Sequence, residues 1–191
     1  MVTGDAEAAF EIRRALPDDW SALRRIRLAA LTEAPYAFGS TLGGAIDRPE
    51  QHWRARIIAS PQFIAWMGTE PVGLAAALAE PPEHGGPAVD YAGPERGAGA
   101  SGRWQLVSMW VSPRARGRGI ADRLVAAVGD CARADGAECL TLWVADASAR
   151  ARAFYRRTGF RSTGRRQLVR PEEPDRWEEE QALDLSRPTA P

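Results

Sequence analysis

Residues 111–121 read VSPRARGRGIA, and this is the most informative stretch of the chain. The hydrophobic run at 106–111 predicts a strand that leads into it, and apolar residues at helical spacing predict an amphipathic helix from Ile120 onward. The first N–H groups of a helix are unpaired and carry partial positive charge, so they attract phosphate. Gly117 and Gly119 let the backbone approach a ligand closely. The stretch therefore predicts a turn that binds a pyrophosphate.

Other phosphate-binding motifs fit this turn less well. The Gly-Lys-Ser/Thr of a P-loop is absent, and no third glycine has the spacing of a dinucleotide-binding turn. The RGRG run at 116–119 lies within a strand-to-helix element, unlike the disordered arginine-rich segments that bind RNA. A glycine-rich turn can also be a plain connector. From these residues alone, the connector remains an alternative to the phosphate site.

A second block follows, with a strand predicted at 140–144 and then residues 148–160, which read SARARAFYRRTGF. The two blocks together resemble the GNAT family of acyl-CoA-dependent N-acetyltransferases. In that family a V-x-P-x-x-[QR]-x-x-G-x-[GA] turn binds the coenzyme A pyrophosphate. Arg114, Gly117 and Gly119 match a shorter form of the motif, but the spacing from the Val-x-Pro favours the longer register. Its positions are occupied here by Val111, Pro113, Arg116, Gly119 and Ala121.

The second family signature is N-x-x-A-x-x-[LF]-Y-x-x-x-G-F. Ser148 stands where the family usually has Asn, in a chain that contains no Asn at all. A serine hydroxyl can still offer one hydrogen bond. The other signature positions are matched by Ala151, Phe154, Tyr155, Gly159 and Phe160.

The resemblance implies an α/β fold in one GNAT-type domain over residues 1–191. Its mixed, mostly antiparallel sheet would have about seven strands, flanked by about four helices. Segments 1–9 and 186–191 are expected to be flexible tails. Residues 80–102, rich in Gly, Pro and charge, predict a mobile loop between strands, which is either a substrate lid or a simple insertion.

The resemblance also implies acetyl-CoA as the co-substrate. Met109, Trp110 and Val111 would lie where two strands separate, so that their backbone groups are free to bond the pantetheine arm and the thioester carbonyl. Strand alternation places the side chain of Trp110 toward the pocket. The full set of implied coenzyme-binding residues is Met109, Trp110, Val111, Arg116, Gly117, Arg118, Gly119, Ile120, Ala121, Asp122, Ser148 and Tyr155.

Tyr155 is the candidate catalytic residue, because in relatives the equivalent tyrosine reaches the coenzyme sulfur. A phenol with a pKa near 10 can donate a proton to the departing thiolate without being ionised at neutral pH. The alternative is a helix tyrosine that only packs under Phe160.

No general base is predicted. Trp143 occupies a position where some family members have Glu, and Gln105, where others have Glu, cannot act as a base. Glu33 and Glu80 are distant alternatives, and a water chain to solvent is another.

Composition supports a compact domain and excludes some partners. The chain has 191 residues, of which 45% are hydrophobic, enough to bury a core. Its 25 basic residues, all Arg, balance 25 acidic ones, so neither nucleic acid nor an anionic membrane is expected as a partner. Cys131 and Cys139 are expected to be free thiols of a reducing compartment. No metal site is expected, and the expected location is cytoplasmic; a homodimer is left open.

These observations predict an acetyl-CoA-dependent N-acetyltransferase that acts on a small primary amine, such as an amino-sugar, an amino acid, a polyamine or an amine-bearing antibiotic. A protein N-terminal acetyltransferase is the first alternative. A non-catalytic acyl-CoA-binding regulator that kept the fold is the second, and the presence of Tyr155 argues against it.

Overall fold

The computed structural model describes residues 10–80 and 102–186. The predicted tail 1–9, almost all of the tail 186–191 and almost all of the loop 80–102 lie outside the described residues. Three short 3-10 turns, each of which begins at a proline, connect the main elements: Pro17–Asp19, Pro35–Ala37 and Pro113–Ala115.

The described residues contain seven strands and five α-helices. The strands are β1 (Phe10–Arg14), β2 (Gln62–Met67), β3 (Glu70–Ala79), β4 (Arg103–Val111), β5 (Cys139–Ala145), β6 (Arg161–Leu168) and β7 (Trp177–Asp184). The helices are α1 (Trp20–Glu33), α2 (Leu42–Ile46), α3 (Glu50–Ala59), α4 (Ile120–Ala134) and α5 (Ala149–Arg157).

All seven strands form one sheet in the order β1-β2-β3-β4-β5-β7-β6. Every neighbouring pair is antiparallel except β4 and β5, which are parallel. This confirms the predicted mixed, mostly antiparallel sheet. The parallel pairing extends only over Arg103–Gln105 against Cys139–Thr141, and beyond it the two strands separate. A gap therefore opens in the middle of the sheet.

Strand β4 carries a bulge beside this gap. Val107 lies opposite Ala76 and Trp110 lies opposite Leu74, so three steps along β4 match two steps along β3. Ser108 sits inside the bulge with φ 59, a left-handed conformation that no other described residue except glycine adopts. The bulge re-aims the side chains that follow Val107.

The two faces of the sheet bury two apolar clusters. Helices α4 and α5 cover one face, where Leu124, Leu140 and Phe160 are fully buried. Helices α1, α2 and α3 cover the other face, with Leu23 and Trp53 at their centre. Burial of one such side chain is worth roughly 1.5–3 kcal/mol, so the helices are held by their apolar faces. Among the described helices, none is both long and apolar enough to cross a membrane.

Helix α2 was not predicted, and the described helices number five rather than about four. Two of its five residues are Gly43 and Gly44, which have low helix propensity, so the segment resembles a loop in sequence. The Thr41 hydroxyl caps the helix by accepting a hydrogen bond from the Gly44 N–H at 3.1 Å. The single buried side chain, Ala45, is too weak a signal to show helical periodicity.

Candidate active site

The turn between β4 and α4 has the backbone expected of a phosphate site. Gly117 and Gly119 adopt left-handed φ angles of 81 and 75, which favour glycine. A Cβ added at either position would meet no atom within 4 Å, so the space beside the turn is open. Among the described residues, the N–H groups of 117–122 have no hydrogen-bond acceptor. The turn therefore presents a row of unpaired donors at the positive end of α4.

These donors border the larger of two clefts, with a volume of about 1600 Å³. The cleft runs from the gap in the sheet, past the turn, to the start of α5. Arg118 is exposed on the turn and lies outside the wall of the cleft. The other predicted coenzyme-binding residues all line it: Met109, Trp110, Val111, Arg116, Gly117, Gly119, Ile120, Ala121, Asp122, Ser148 and Tyr155.

Two arginine side chains of the turn, Arg114 and Arg116, are paired with protein groups. Arg114 forms an exposed ion pair with Glu70. Arg116 donates from Nε to the Val111 carbonyl at 3.0 Å and from Nη2 to Glu33 Oε2 at 3.0 Å. The guanidinium of Arg116 thus ties the end of β4 to the end of α1. The side chain of Arg116 therefore holds the turn in place, and the turn with its unpaired backbone donors lines the larger cleft.

Glu33 holds Trp110 through the same carboxylate oxygen. The Trp110 indole Nε1 donates to Glu33 Oε2 at 2.9 Å, and the ring is 8% exposed against α1. It lines the larger cleft and is absent from the wall of the smaller one, because the bulge in β4 interrupts the alternation on which the prediction rested. Burial alone would raise the pKa of Glu33, but the hydrogen bonds from Trp110 and Arg116 and the Arg116 charge lower it overall. Glu33 is therefore a poor proton acceptor and acts as an anchor.

Tyr155 lies where the larger cleft meets a second one. Its ring is 8% exposed and packs edge-on against Phe154 and Phe160, at centroid distances of 5.2 and 5.6 Å. Burial raises the pKa of the phenol above its ordinary value, so the hydroxyl keeps its proton and can donate it. Tyr155 therefore both packs against Phe160 and lines the two clefts, so the packing role and a role at the site are compatible.

The second, smaller cleft shares Tyr155 with the larger one. The 3-10 turn after α1, helix α3, the β4 bulge and strands β5 and β7 contribute to its walls. Gln105 and Trp143 both line it, and neither can act as a base. Four described residues line both clefts: Ala37, Phe38, Met109 and Tyr155.

Glu178, which the sequence analysis missed, is the acid of the smaller cleft. It lies on β7, is 9% exposed, and accepts a hydrogen bond from Gln167 Nε2 at 2.7 Å. Burial raises its pKa, partly opposed by Gln167 and Arg176. The run Glu178, Glu179, Glu180 could have signalled a carboxylate on a buried face, but β7 alone does not show which face is buried.

Two other acids, Glu180 and Glu80, form ion pairs with arginines. Glu180 is 2% exposed and bonds to Arg165 at 2.8 Å and to Arg103 at 3.3 Å. Glu80, a distant alternative for the base, pairs with Arg103 at 2.9 Å and lines neither cleft. In the part of the chain that the structure describes, no group of three or more potential metal-ligating side chains comes together.

The site and the fold define an acyltransferase of the GNAT class. The chain matches the acetyltransferase (GNAT) family over residues 23–160 and belongs to this family. Acetyl-CoA is the co-substrate of this family, and the open cleft beside unpaired backbone donors suits its pyrophosphate. No curated protein matches the chain.

Solved structures share the fold at low sequence identity. A GNAT-family acetyltransferase from Streptococcus pneumoniae superposes with a TM-score of 0.69 at 17% identity, over 92% of this chain and 99% of that one. YncA from Salmonella typhimurium, solved with its cofactor acetyl-CoA, gives 0.67 at 18% identity over 96% and 98%. A ribosomal-protein-alanine N-acetyltransferase from Brucella melitensis gives 0.65 at 22% identity over 91% and 99%. These likenesses concern the fold alone.

Proposed function

We propose that this protein transfers the acetyl group of acetyl-CoA to a primary amine of a small molecule. The observation that carries the proposal is that two clefts meet at Tyr155. The larger is bordered by the turn between β4 and α4, residues 112–119, which we call the phosphate turn, and the smaller by Glu178. In this arrangement a donor in one cleft and an acceptor in the other would both lie beside Tyr155. Two reactants that a protein binds next to each other react as if each were present at a very high concentration.

The larger cleft would hold acetyl-CoA. The N–H groups of 117–122 would bind the pyrophosphate, and Ser148, ahead of α5, would offer its hydroxyl to the coenzyme. Among the described residues, the β5-facing edge of 106–110 has no strand partner, so its backbone groups would be available to the pantetheine arm and the thioester carbonyl.

The protons would move through two buried side chains. As the amine nitrogen attacks the thioester carbon and the C–S bond breaks, Tyr155 donates its phenol proton to the departing thiolate. Glu178 takes the proton that the acceptor ammonium must lose. Its raised pKa brings a carboxylate closer to the operating pH, which suits a general base.

The direct test is release of coenzyme A thiol from acetyl-CoA across a panel of amino acids, polyamines, amino-sugars, amine antibiotics and N-terminal peptides. Turnover with a small amine supports the proposal. Turnover with peptides alone would favour the N-terminal acetyltransferase instead. If acetyl-CoA binds and no amine or peptide is acetylated, the non-catalytic acyl-CoA-binding regulator is favoured.

A further inference from the structure

The charged side chains that line the smaller cleft indicate which kind of acceptor amine would fit there. Among the described lining residues, three are charged: Arg27, Arg56 and Glu178. They come from α1, α3 and β7, so they surround the cleft from different walls. Building on the proposed function, we infer that the acceptor is an amine that also carries an anionic group, as an α-amino acid does.

Arg27 places a guanidinium on the α1 wall. The residue is 5% exposed, its Nη2 donates to Ser40 Oγ at 3.0 Å, and its charged plane lies 4.6 Å from the centre of the Phe38 ring. These contacts fix the orientation of the planar donor fork beside the cleft. A guanidinium held in this way matches the geometry of a carboxylate, which it can bind through two parallel hydrogen bonds.

Arg56 places a second guanidinium on the α3 wall. Its Nη2 donates to Ser108 Oγ at 2.9 Å, at the residue whose left-handed backbone makes the β4 bulge. The bulge thus brings a side chain of β4 to the arginine and holds it at the cleft. Two guanidinium groups and one carboxyl group thus line the same cleft.

Charge complementarity selects among the candidate amines. An amino acid can place its ammonium toward Glu178 and its carboxylate toward Arg27 and Arg56. A polyamine or an amine-rich antibiotic would bring several positive charges against two arginines and a single acid. Like charges at short range are unfavourable, particularly away from water. The cleft therefore favours a zwitterion over a polycation.

The test compares each common L-α-amino acid with its carboxamide and with its decarboxylated amine in the thiol-release assay. Loss of a charge-assisted hydrogen bond is expected to lower kcat/KM about 10- to 100-fold, mainly through KM. Amino acids should therefore exceed both analogues by that factor. If the analogues that lack the carboxylate, or polyamines, are acetylated equally well or better, the inference is overturned and the proposed function stands.

Arg56→Gln tests the assigned contact. It should raise KM for the amino acid about 10- to 100-fold and leave KM for the decarboxylated amine unchanged, so that the two substrates become nearly equivalent. Arg54→Gln is the matched control, since Arg54 lies on the same helix, pairs with Asp18 and Glu50, and is absent from the cleft wall. It should leave both constants unchanged.

Arg56→Lys separates charge from geometry and guards against a misfolded glutamine variant. It keeps the positive charge and loses the planar fork of donors. The ratio of kcat/KM for the amino acid to that for the decarboxylated amine should therefore become smaller but stay above one. If a variant at Arg56 raises KM for both substrates by the same factor, Arg56 has a purely structural role and the inference is overturned. Failure of every amine to react, with acetyl-CoA still bound, would contradict the proposed function, and the inference would fall with it.

Discussion

Arg116 Nη2 and Glu33 Oε2 lie 3.0 Å apart, which ties the phosphate turn to the end of α1 across 83 residues of sequence. Trp110 Nε1 bonds to the same oxygen at 2.9 Å. One carboxylate therefore fixes the last residues of β4 and the turn that follows them. The position of the backbone donors depends on a side chain from the first helix.

Glu33→Ala is expected to destabilise the fold by about 1–2 kcal/mol, because the indole N–H of Trp110 loses its acceptor. Denaturant unfolding measures this difference. Glu70→Ala is the matched control: it removes the partner of Arg114 at an exposed position and should cost less than about 1 kcal/mol. Equal losses in the two variants would contradict the anchor role.

The Glu33 contribution should depend on pH. Its pKa is lowered in the folded state, so the stability it contributes is present above the unfolded-state pKa and is lost as pH falls through the folded-state pKa. The difference in unfolding free energy between the parent and Glu33→Ala should therefore shrink in acid. A difference that stays constant down to strongly acidic pH would rule out the ionised carboxylate as its source.

Gly119→Trp is expected to abolish acetyl-CoA binding, as measured by calorimetry, because the indole side chain would project from the turn into the larger cleft. Gly136→Trp is the matched control, since Gly136 also has a left-handed φ and open space beside it but lies after the far end of α4. Both variants should lose roughly 1–2 kcal/mol from the backbone conformation. Unchanged coenzyme affinity in Gly119→Trp would show that the turn is only a connector.

Tyr155→Phe should keep the fold and the coenzyme affinity, because the ring still packs against Phe154 and Phe160. Loss of the proton donor should lower kcat by about 10²- to 10⁴-fold when chemistry limits the rate. Single-turnover measurement of acetyl transfer isolates the chemical step. An unchanged single-turnover rate would remove Tyr155 from the mechanism.

Glu178→Gln should change the pH profile of kcat/KM. Ionised Glu178 accepts a proton, so activity falls as pH drops through its pKa, and burial moves that pKa above the usual range for Glu. The substitution should lower the rate and remove this acidic limb. Glu179→Gln, the neighbour that faces the other side of β7 and bonds to Ser162, should retain the limb. Loss of the limb in both variants would assign it to another group.

The phosphate turn and the helices that flank the site could be predicted because their signals are local. The glycines at 117 and 119 specify left-handed backbone, and the apolar stripe of α4 appears at 3.6-residue spacing. Gln105 and Trp143, at positions where some family members have Glu, both line the smaller cleft. Helix α2 was not predicted because two of its five residues are glycines, which have low helix propensity. The cap that Thr41 provides is visible only in the structure.

The family, the strand-turn-helix at 111–121 and the tyrosine of α5 could be predicted from the sequence, because each depends on residues close together in the chain. The lining of the smaller cleft could be seen only in the folded chain. Arg27, Arg56 and Glu178 come from α1, α3 and β7, and none belongs to a motif. Alternation along β7 defines two faces, but the sheet order and the separation of β4 from β5 decide which face lines the cleft.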